Sequence, residues 1–289
     1  RAMLVVIAGG GLVGLTLAGL LRRRGVQPVV IERRPLDDYL VRGFMLGHHG
    51  FDAMDELGLL GPLRARGRDI GATPDGSAAA VAVDVGWLLH SLAELGEVRH
   101  GLAVSDLTRD VSGRITGVVA EGPGGMERID ADLVVACDGG RSRVRDMAGL
   151  EAEFTPLAEG KIEWMSPVPV ADSFAMAYLS NGSHIGMLSW PEGSFGWRMT
   201  DRVGRDAALA PGLGAVVESF TRLLPPIADG VRGLTSIDQV YYDEPQLLSC
   251  PRWWAPGVVL IGDAAHFFGP ETGAPAGIGR AGVDGPLEG

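Results

Sequence analysis

A chain of 289 residues, 46% of them hydrophobic, is long enough to bury a large core and to divide into one or two domains. Its 36 acidic residues outweigh 25 basic ones for a formal charge of −11, and no basic cluster is large enough to follow a phosphate backbone, which excludes nucleic acid as the expected partner. Cys137 and Cys250 lack Cys-x-x-Cys spacing, and His48-His49 are adjacent rather than one helical turn apart, so a disulfide framework and a metal site are both excluded and a reducing cytoplasm is the default location.

The uncharged run from Met3 to Leu21, followed by Arg22-Arg23-Arg24, is at the border of a membrane span. Its glycines divide it instead into a buried strand over residues 3–8 and a helix over 12–24, with the basic residues on the wrong side for a signal peptide. Gly25 is placed to stop that helix, and Pro28 to Ile31 reads as a second buried strand ending at Glu32. The pattern is a βαβ unit.

Residues 51–60 and 87–95 read as helices, while 71–82, small and weakly patterned, reads as a mobile loop or a place where residues are missing. From 103 to 137 short strands alternate with turns at Ser112-Gly113 and Gly122 to Gly125, and 132–136 is a buried strand returning to the first sheet. Asn181-Gly182 and Glu192-Gly193-Ser194 divide 173–200 into three strands of an antiparallel sheet. Residues 214–224 form a helix closed by Pro225-Pro226, and 237–242 another strand.

Three segments carry chemistry. Gly9-Gly-Gly11-Leu-Val-Gly14 stands between the first strand and the first helix. Gly9 permits the turn, Gly11 lets backbone approach a pyrophosphate at the helix N-terminus, and Gly14 lets helix and strand pack closely. Glu32 is placed to accept hydrogen bonds from a ribose. The second segment is the strand 131–136 running into Asp138-Gly139 and then Arg141, Arg143 and Arg145. The third is the strand 257–261 ending in Gly262-Asp263. Each puts an acid at the carboxyl end of a strand, where open α/β sheets bind ligands.

With the three in this order, the chain resembles the class A FAD-dependent monooxygenases, the para-hydroxybenzoate hydroxylase-like flavoproteins, over almost its entire length. The resemblance implies an α/β fold: a doubly wound, GR2-type Rossmann-like FAD domain from residues 1–70, 86–150 and 255–289, with an inserted antiparallel-sheet substrate domain, 151–254. It implies that Gly9, Gly11 and Gly14, with Leu12 and Val13 between them, hold the FAD pyrophosphate, and that Glu32 and the adjoining Arg33 serve the adenosine end. Arg42 matches a cofactor-contacting arginine. Asp138 and Gly139 match an element tied to FAD and NAD(P)H, and Gly262 with Asp263 the contact to the ribityl chain. Pro270, Gly273 and Ala274 match the loop beside the isoalloxazine, although Pro275 departs from the family's usual text and a member is expected to continue beyond Gly289.

The implied activity uses NAD(P)H and O₂ to hydroxylate a small, aromatic substrate through a flavin C4a-hydroperoxide. His48 and His49 are the candidate catalytic residues, against the alternative of exposed loop or packing histidines. His266 and the Trp253-Trp254 pair are expected to pack structurally. Phe174, Tyr178, Trp190 and Trp197 lie on the middle sheet, over a pocket or in a plain core. Rival readings are a flavin reductase or dehydrogenase, a halogenase, and a flavin-fold protein that binds without turnover. A distinctive halogenase tryptophan motif is missing, and Lys161, the only lysine, stands in a stretch with no other signal.

Overall fold

The computed structural model describes residues 2–35, 43–72 and 78–269. Its centre is a six-stranded sheet in the order Trp254–Ala255, Val258–Leu260, Leu133–Ala136, Val5–Ala8, Val29–Glu32, Val98–His100. All neighbours are parallel except the first pair. Val5–Ala8 is buried along its whole length, as a parallel strand covered on both faces must be. Both its neighbours follow it in the chain, one leading outward to Val98–His100 and the other, after the chain returns, to Val258–Leu260, so the order reverses beside it, where a crevice opens at the carboxyl ends of the strands.

The helix Leu12–Arg23 follows the first strand directly. Leu15, Leu17, Ala18 and Leu20 bury its inner side against Ile7, Val30 and Leu92, and each fully buried aliphatic side chain contributes about 1.5–3 kcal/mol. Arg22 and Arg23 in the last turn complement the helix dipole. The helix ends where sequence placed its stop, with the Gly25 amide donating to the Arg22 carbonyl. At 12 residues it cannot cross a membrane, and no helix among the described residues is long and apolar enough to do so.

A small antiparallel sheet, ordered Gly43–Gly47, Ala78–Asp84, Arg68–Ala72, corrects the expectation of a loop over 71–82. Ala78–Asp84 is its central strand, and residues 73–77 lie outside the described residues. Runs of alanine give no alternation to read, yet small side chains suit a sheet pressed between two layers. Leu46, Val81 and Val83 join the core of the central sheet, while Ile70, Ala80 and Ala82 pack on Leu188, Trp190 and Phe195.

Those last three belong to a five-stranded antiparallel sheet ordered Phe174–Tyr178, His184–Trp190, Gly193–Thr200, Gly160–Ser166, Val240–Asp243. The three strands expected over 173–200 are present, and a short 3₁₀ turn, Ile237–Gln239, replaces the first half of the strand expected at 237–242. The reverse face of this sheet buries Ile162, Trp164 and Ile185 against Val216 and Phe220 of the helix Leu213–Leu223. Trp164 and Phe220 meet edge-to-face at 6.0 Å. The strands Ala103–Arg109, Ile115–Gly122 and Gly125–Asp130 make a further antiparallel sheet over the other side of the centre. A last one joins Glu153–Pro156, Gln246–Ser249 and His266–Phe267.

Candidate functional site

A cavity of about 480 Å³ lies at the carboxyl ends of the parallel strands and brings together residues from all three sequence segments. Gly9, Gly11, Leu12 and Val13 line it from the first turn, Glu32 and Arg33 from the second strand, Asp138 and Gly139 from the returning strand, and Asp263 from the last.

The glycines of the turn have three different jobs. Gly9 has φ +112°, and a Cβ there would overlap the Cys137 carbonyl; both the backbone and the neighbouring strand require glycine. Gly14 is buried, and a Cβ on it would run into the Gly9 carbonyl oxygen. Gly11 is the opposite case: its backbone is extended and a Cβ there would meet nothing within 4 Å. The space beside Gly11 is the cavity itself. Gly11 caps the helix without a side chain, and the first turn has no acidic residue. The helix therefore presents its backbone N–H groups and the positive end of its dipole to the cavity.

Glu32 is buried, and its carboxylate is already engaged. Oε2 accepts from the Gly10 amide at 2.7 Å and Oε1 from the Arg34 amide at 2.8 Å. These two bonds fix the carboxylate at the wall, and each oxygen keeps a further lone pair for a sugar hydroxyl.

Asp138 is held in the same manner. Its carboxylate accepts from Ser142 Oγ at 2.5 Å and from the Val144 amide at 3.2 Å, capping the short helix Arg143–Met147. Arg145, buried within that helix, donates to the carbonyls of Gly140 and Ala264 at 3.0 and 3.1 Å. It fastens the Asp138-Gly139 loop to the Gly262–Ala264 turn that carries Asp263. Burial raises the Asp263 carboxyl above the ordinary carboxylate range. Burial also pushes the Cys137 thiol, another wall residue, well up.

Four arginines, Arg33, Arg34, Arg141 and Arg143, line the cavity alongside the three acids. Anion-binding amides, arginines and a ribose-ready carboxylate suit a dinucleotide: pyrophosphate at the helix terminus, sugar hydroxyls on Glu32. Sequence reading had no reason to single out Phe44, Arg34 or residues 102–104, which the fold brings to the wall. Arg141 and Arg143 were signalled by the basic run after Asp138.

Gly14 and Gly262 do not line the cavity; they pack behind it, Gly262 against Val13. His48 and His49 are exposed in a 3₁₀ turn before the helix Phe51–Glu56, 3.8 Å apart between ring centroids, and are not among the cavity's lining residues. Arg42, Pro270, Gly273 and Ala274 lie outside the described residues. His266 packs as expected, buried between Trp253 and Phe268, and burial lowers its pKa. Trp253 and Trp254 do not: both are substantially exposed, because the strand Trp254–Ala255 is the edge of its sheet. Among the described residues no group of acids, histidines and cysteines could hold a metal ion.

A family model described as FAD binding domain matches residues 2–83 and 86–278. The chain is 28% identical to 6-methylpretetramide 4-monooxygenase of Streptomyces rimosus, over 92% of this chain and 70% of that protein. It is 25% identical to digeranylgeranylglycerophospholipid reductase 2 of Methanopyrus kandleri, over 93% and 72% respectively. Among solved structures, PqsL of Pseudomonas aeruginosa, described as a probable FAD-dependent monooxygenase, superposes with a TM-score of 0.82 at 19% identity, over 98% of this chain and 84% of that one. At that identity the likeness establishes the fold.

Proposed function

This chain belongs to the FAD binding domain family and is an FAD-dependent oxidoreductase of the class A flavoprotein monooxygenases; from that premise we propose that it uses NAD(P)H and O₂ to hydroxylate a small aromatic substrate. The observation that carries the reading is the cavity: a glycine turn, a fixed ribose-facing acid and two half-buried aspartates converge where the strand order reverses.

We assign the residues as follows. The amides after Gly11 hold the FAD pyrophosphate, with Leu12 and Val13 shaping the floor and Gly9 and Gly14 keeping the turn closed. Glu32 accepts the adenosine ribose hydroxyls, and Arg33 closes the rim. Asp138, Gly139 and Asp263 face the middle of the cofactor, with Gly262 permitting the turn that aims Asp263. Arg42, Pro270, Gly273 and Ala274 complete the set; His48 and His49 stand exposed and apart from the cavity lining, and we give them no part in the chemistry. FAD held by these residues would supply the redox chemistry, two-electron exchange with NAD(P)H and activation of O₂, while the protein orients the reactants and excludes water. We assign residues 1–70, 86–150 and 255–289 to the discontinuous FAD domain and 151–254 to the substrate domain.

The test is to reconstitute the protein with FAD, remove the excess, and add NADH or NADPH under air with a panel of phenols. Retained flavin bands that bleach, oxygen uptake and a product carrying one atom from ¹⁸O₂ are expected. A protein that retains no flavin would overturn the reading. The similarity to a reductase favours one alternative, a flavin reductase. That alternative predicts flavin-dependent reduction of an added acceptor with no oxygen incorporated.

A further inference from the structure

The two edges of the five-stranded sheet are unlike. One edge strand, Val240–Asp243, ends in an acid and runs on into Glu244. The other, Phe174–Tyr178, reads Phe-Ala-Met-Ala-Tyr, with no charge, no proline and no shift of register against His184–Trp190. The uncharged stretch is longer than the strand: residues 173–191 contain no Asp, Glu, Lys or Arg, in a chain of net charge −11. Gly125–Asp130, the exposed edge strand of another sheet, carries Glu127, Arg128 and Asp130. Charges and prolines are how single chains keep a free strand edge from pairing. Phe174–Tyr178 has neither.

Register fixes which backbone groups that edge offers. The Ser189 amide donates to the Ser173 carbonyl at 2.9 Å, and the Leu179 amide to the Ser183 carbonyl at 2.7 Å. Bonded and non-bonded pairs alternate along an antiparallel ladder, so between those ends Ala175 and Ala177 bond inward to His184–Trp190. Phe174, Met176 and Tyr178 therefore turn their N–H and C=O groups outward. Among the described residues no other strand lies beside them, and Met176 is 42% and Tyr178 75% exposed. The side chains of these three share one face, while Ala175 and Ala177 pack on the other into the cluster that holds Val216 and Phe220.

We propose that this edge pairs with the same edge of a second copy of the chain, antiparallel about a twofold axis at Met176, joining the two five-stranded sheets into one. About that axis Met176 meets Met176 and Phe174 meets Tyr178, so the outward groups of each strand fall opposite those of the other. Each strand gives three N–H and three C=O groups, enough for six hydrogen bonds, and the Phe–Tyr pairs add aromatic contact across the seam. Charge favours a second copy as the occupant. Two chains of −11 repel over most of their surfaces and meet here on a segment that carries no charge. At about one hydrogen bond per 100–200 Å², six correspond to roughly 600–1,200 Å² of buried surface, the low end for a specific interface. Such a dimer is reversible. The pairing is independent of the flavin chemistry, because no group in it belongs to the cavity.

The experiment is sedimentation velocity of FAD-reconstituted protein from about 1 to 100 µM, the range suited to an interface of this size. The wild type is expected to pass from monomer to dimer across it. Met176→Pro removes an N–H that points outward and spares the ladder to His184–Trp190. Met176→Lys sets like charges against each other on the axis. Each should weaken dimerisation at least about tenfold, with flavin content and urea transition unchanged. Should Met176→Pro fail to fold, Met176→Lys carries the test. Met176→Cys reads the contact itself: it should couple to its own copy through a short bismaleimide, whereas Val111→Cys, on the exposed turn after Ala103–Arg109, should not. A wild type that stays monomeric throughout, or a dimer that both Met176 substitutions leave intact, would overturn the inference. So would coupling through Val111→Cys and not through Met176→Cys.

Discussion

The cavity at the strand ends and the aromatic face of the five-stranded sheet are built in opposite ways. At the cavity the working groups are mostly backbone: amides at a helix terminus, and glycines that leave room, with Glu32 and Asp138 pinned by neighbouring amides. On the sheet the contacts are made by side chains, Trp197, Phe195 and Phe174, set by strand register and packed against the small sheet. Backbone recognition suits a cofactor that never changes. Side-chain packing of that kind joins one layer to the next, and it depends on each residue's size.

The largest expected effect comes from breaking the first region at its hinge. Gly14→Val would drive a branched side chain into the Gly9 carbonyl and should cost more than about 4 kcal/mol, read as a lost or strongly shifted urea transition. Glu32→Ala comes next. It leaves the Gly10 and Arg34 amides without their charged acceptor and should cost about 1.5–3 kcal/mol in urea unfolding, along with weaker flavin retention. Glu32→Gln, keeping one acceptor oxygen, should fall between.

Asp263 should behave in the reverse sense. Burial raises its folded pKa above the unfolded value, so its stabilising contribution is present below the unfolded pKa and is lost as pH rises through the folded one. At neutral pH the charged group is then a liability to the apoprotein. Asp263→Asn should raise the apoprotein Tm at pH 7, flatten its dependence on pH across the acidic range, and lower FAD affinity. A residue kept only for packing would not separate stability from binding in this way. The smallest effect is expected at the exposed pair: His48→Asn with His49→Asn should leave kcat within about twofold and flavin content unchanged, since neither ring lines the cavity. A tenfold fall in kcat with flavin intact would give the pair a catalytic role.

How much of this was legible follows the same division. The βαβ unit, the helix stop at Gly25, the returning strand before Asp138 and the last one before Asp263 could all be read, because a parallel strand buried on both faces is a continuous apolar run and a close approach demands glycine. The alanine-rich strand Ala78–Asp84 could not, since its burial depends on two layers supplied from elsewhere in the chain. Arg145 could be seen only as part of a basic run; its role as a clasp between two loops depends on a carbonyl 119 residues away. Lys161 and Glu163 are the clearest case. As text they are two charges in a strand, and only pairing with Gly193–Thr200 sets them beside Trp197.

Gly11 gives the most direct test of the cofactor site, because it separates binding from folding. Its backbone suits any residue, and a Cβ there would meet no protein atom within 4 Å on its way into the cavity. The measurement is flavin retained after reconstitution by Gly11→Val, beside its urea transition. The cavity assignment predicts a wild-type transition with the flavin lost. A variant that folds normally and holds FAD as tightly as the wild type would contradict it.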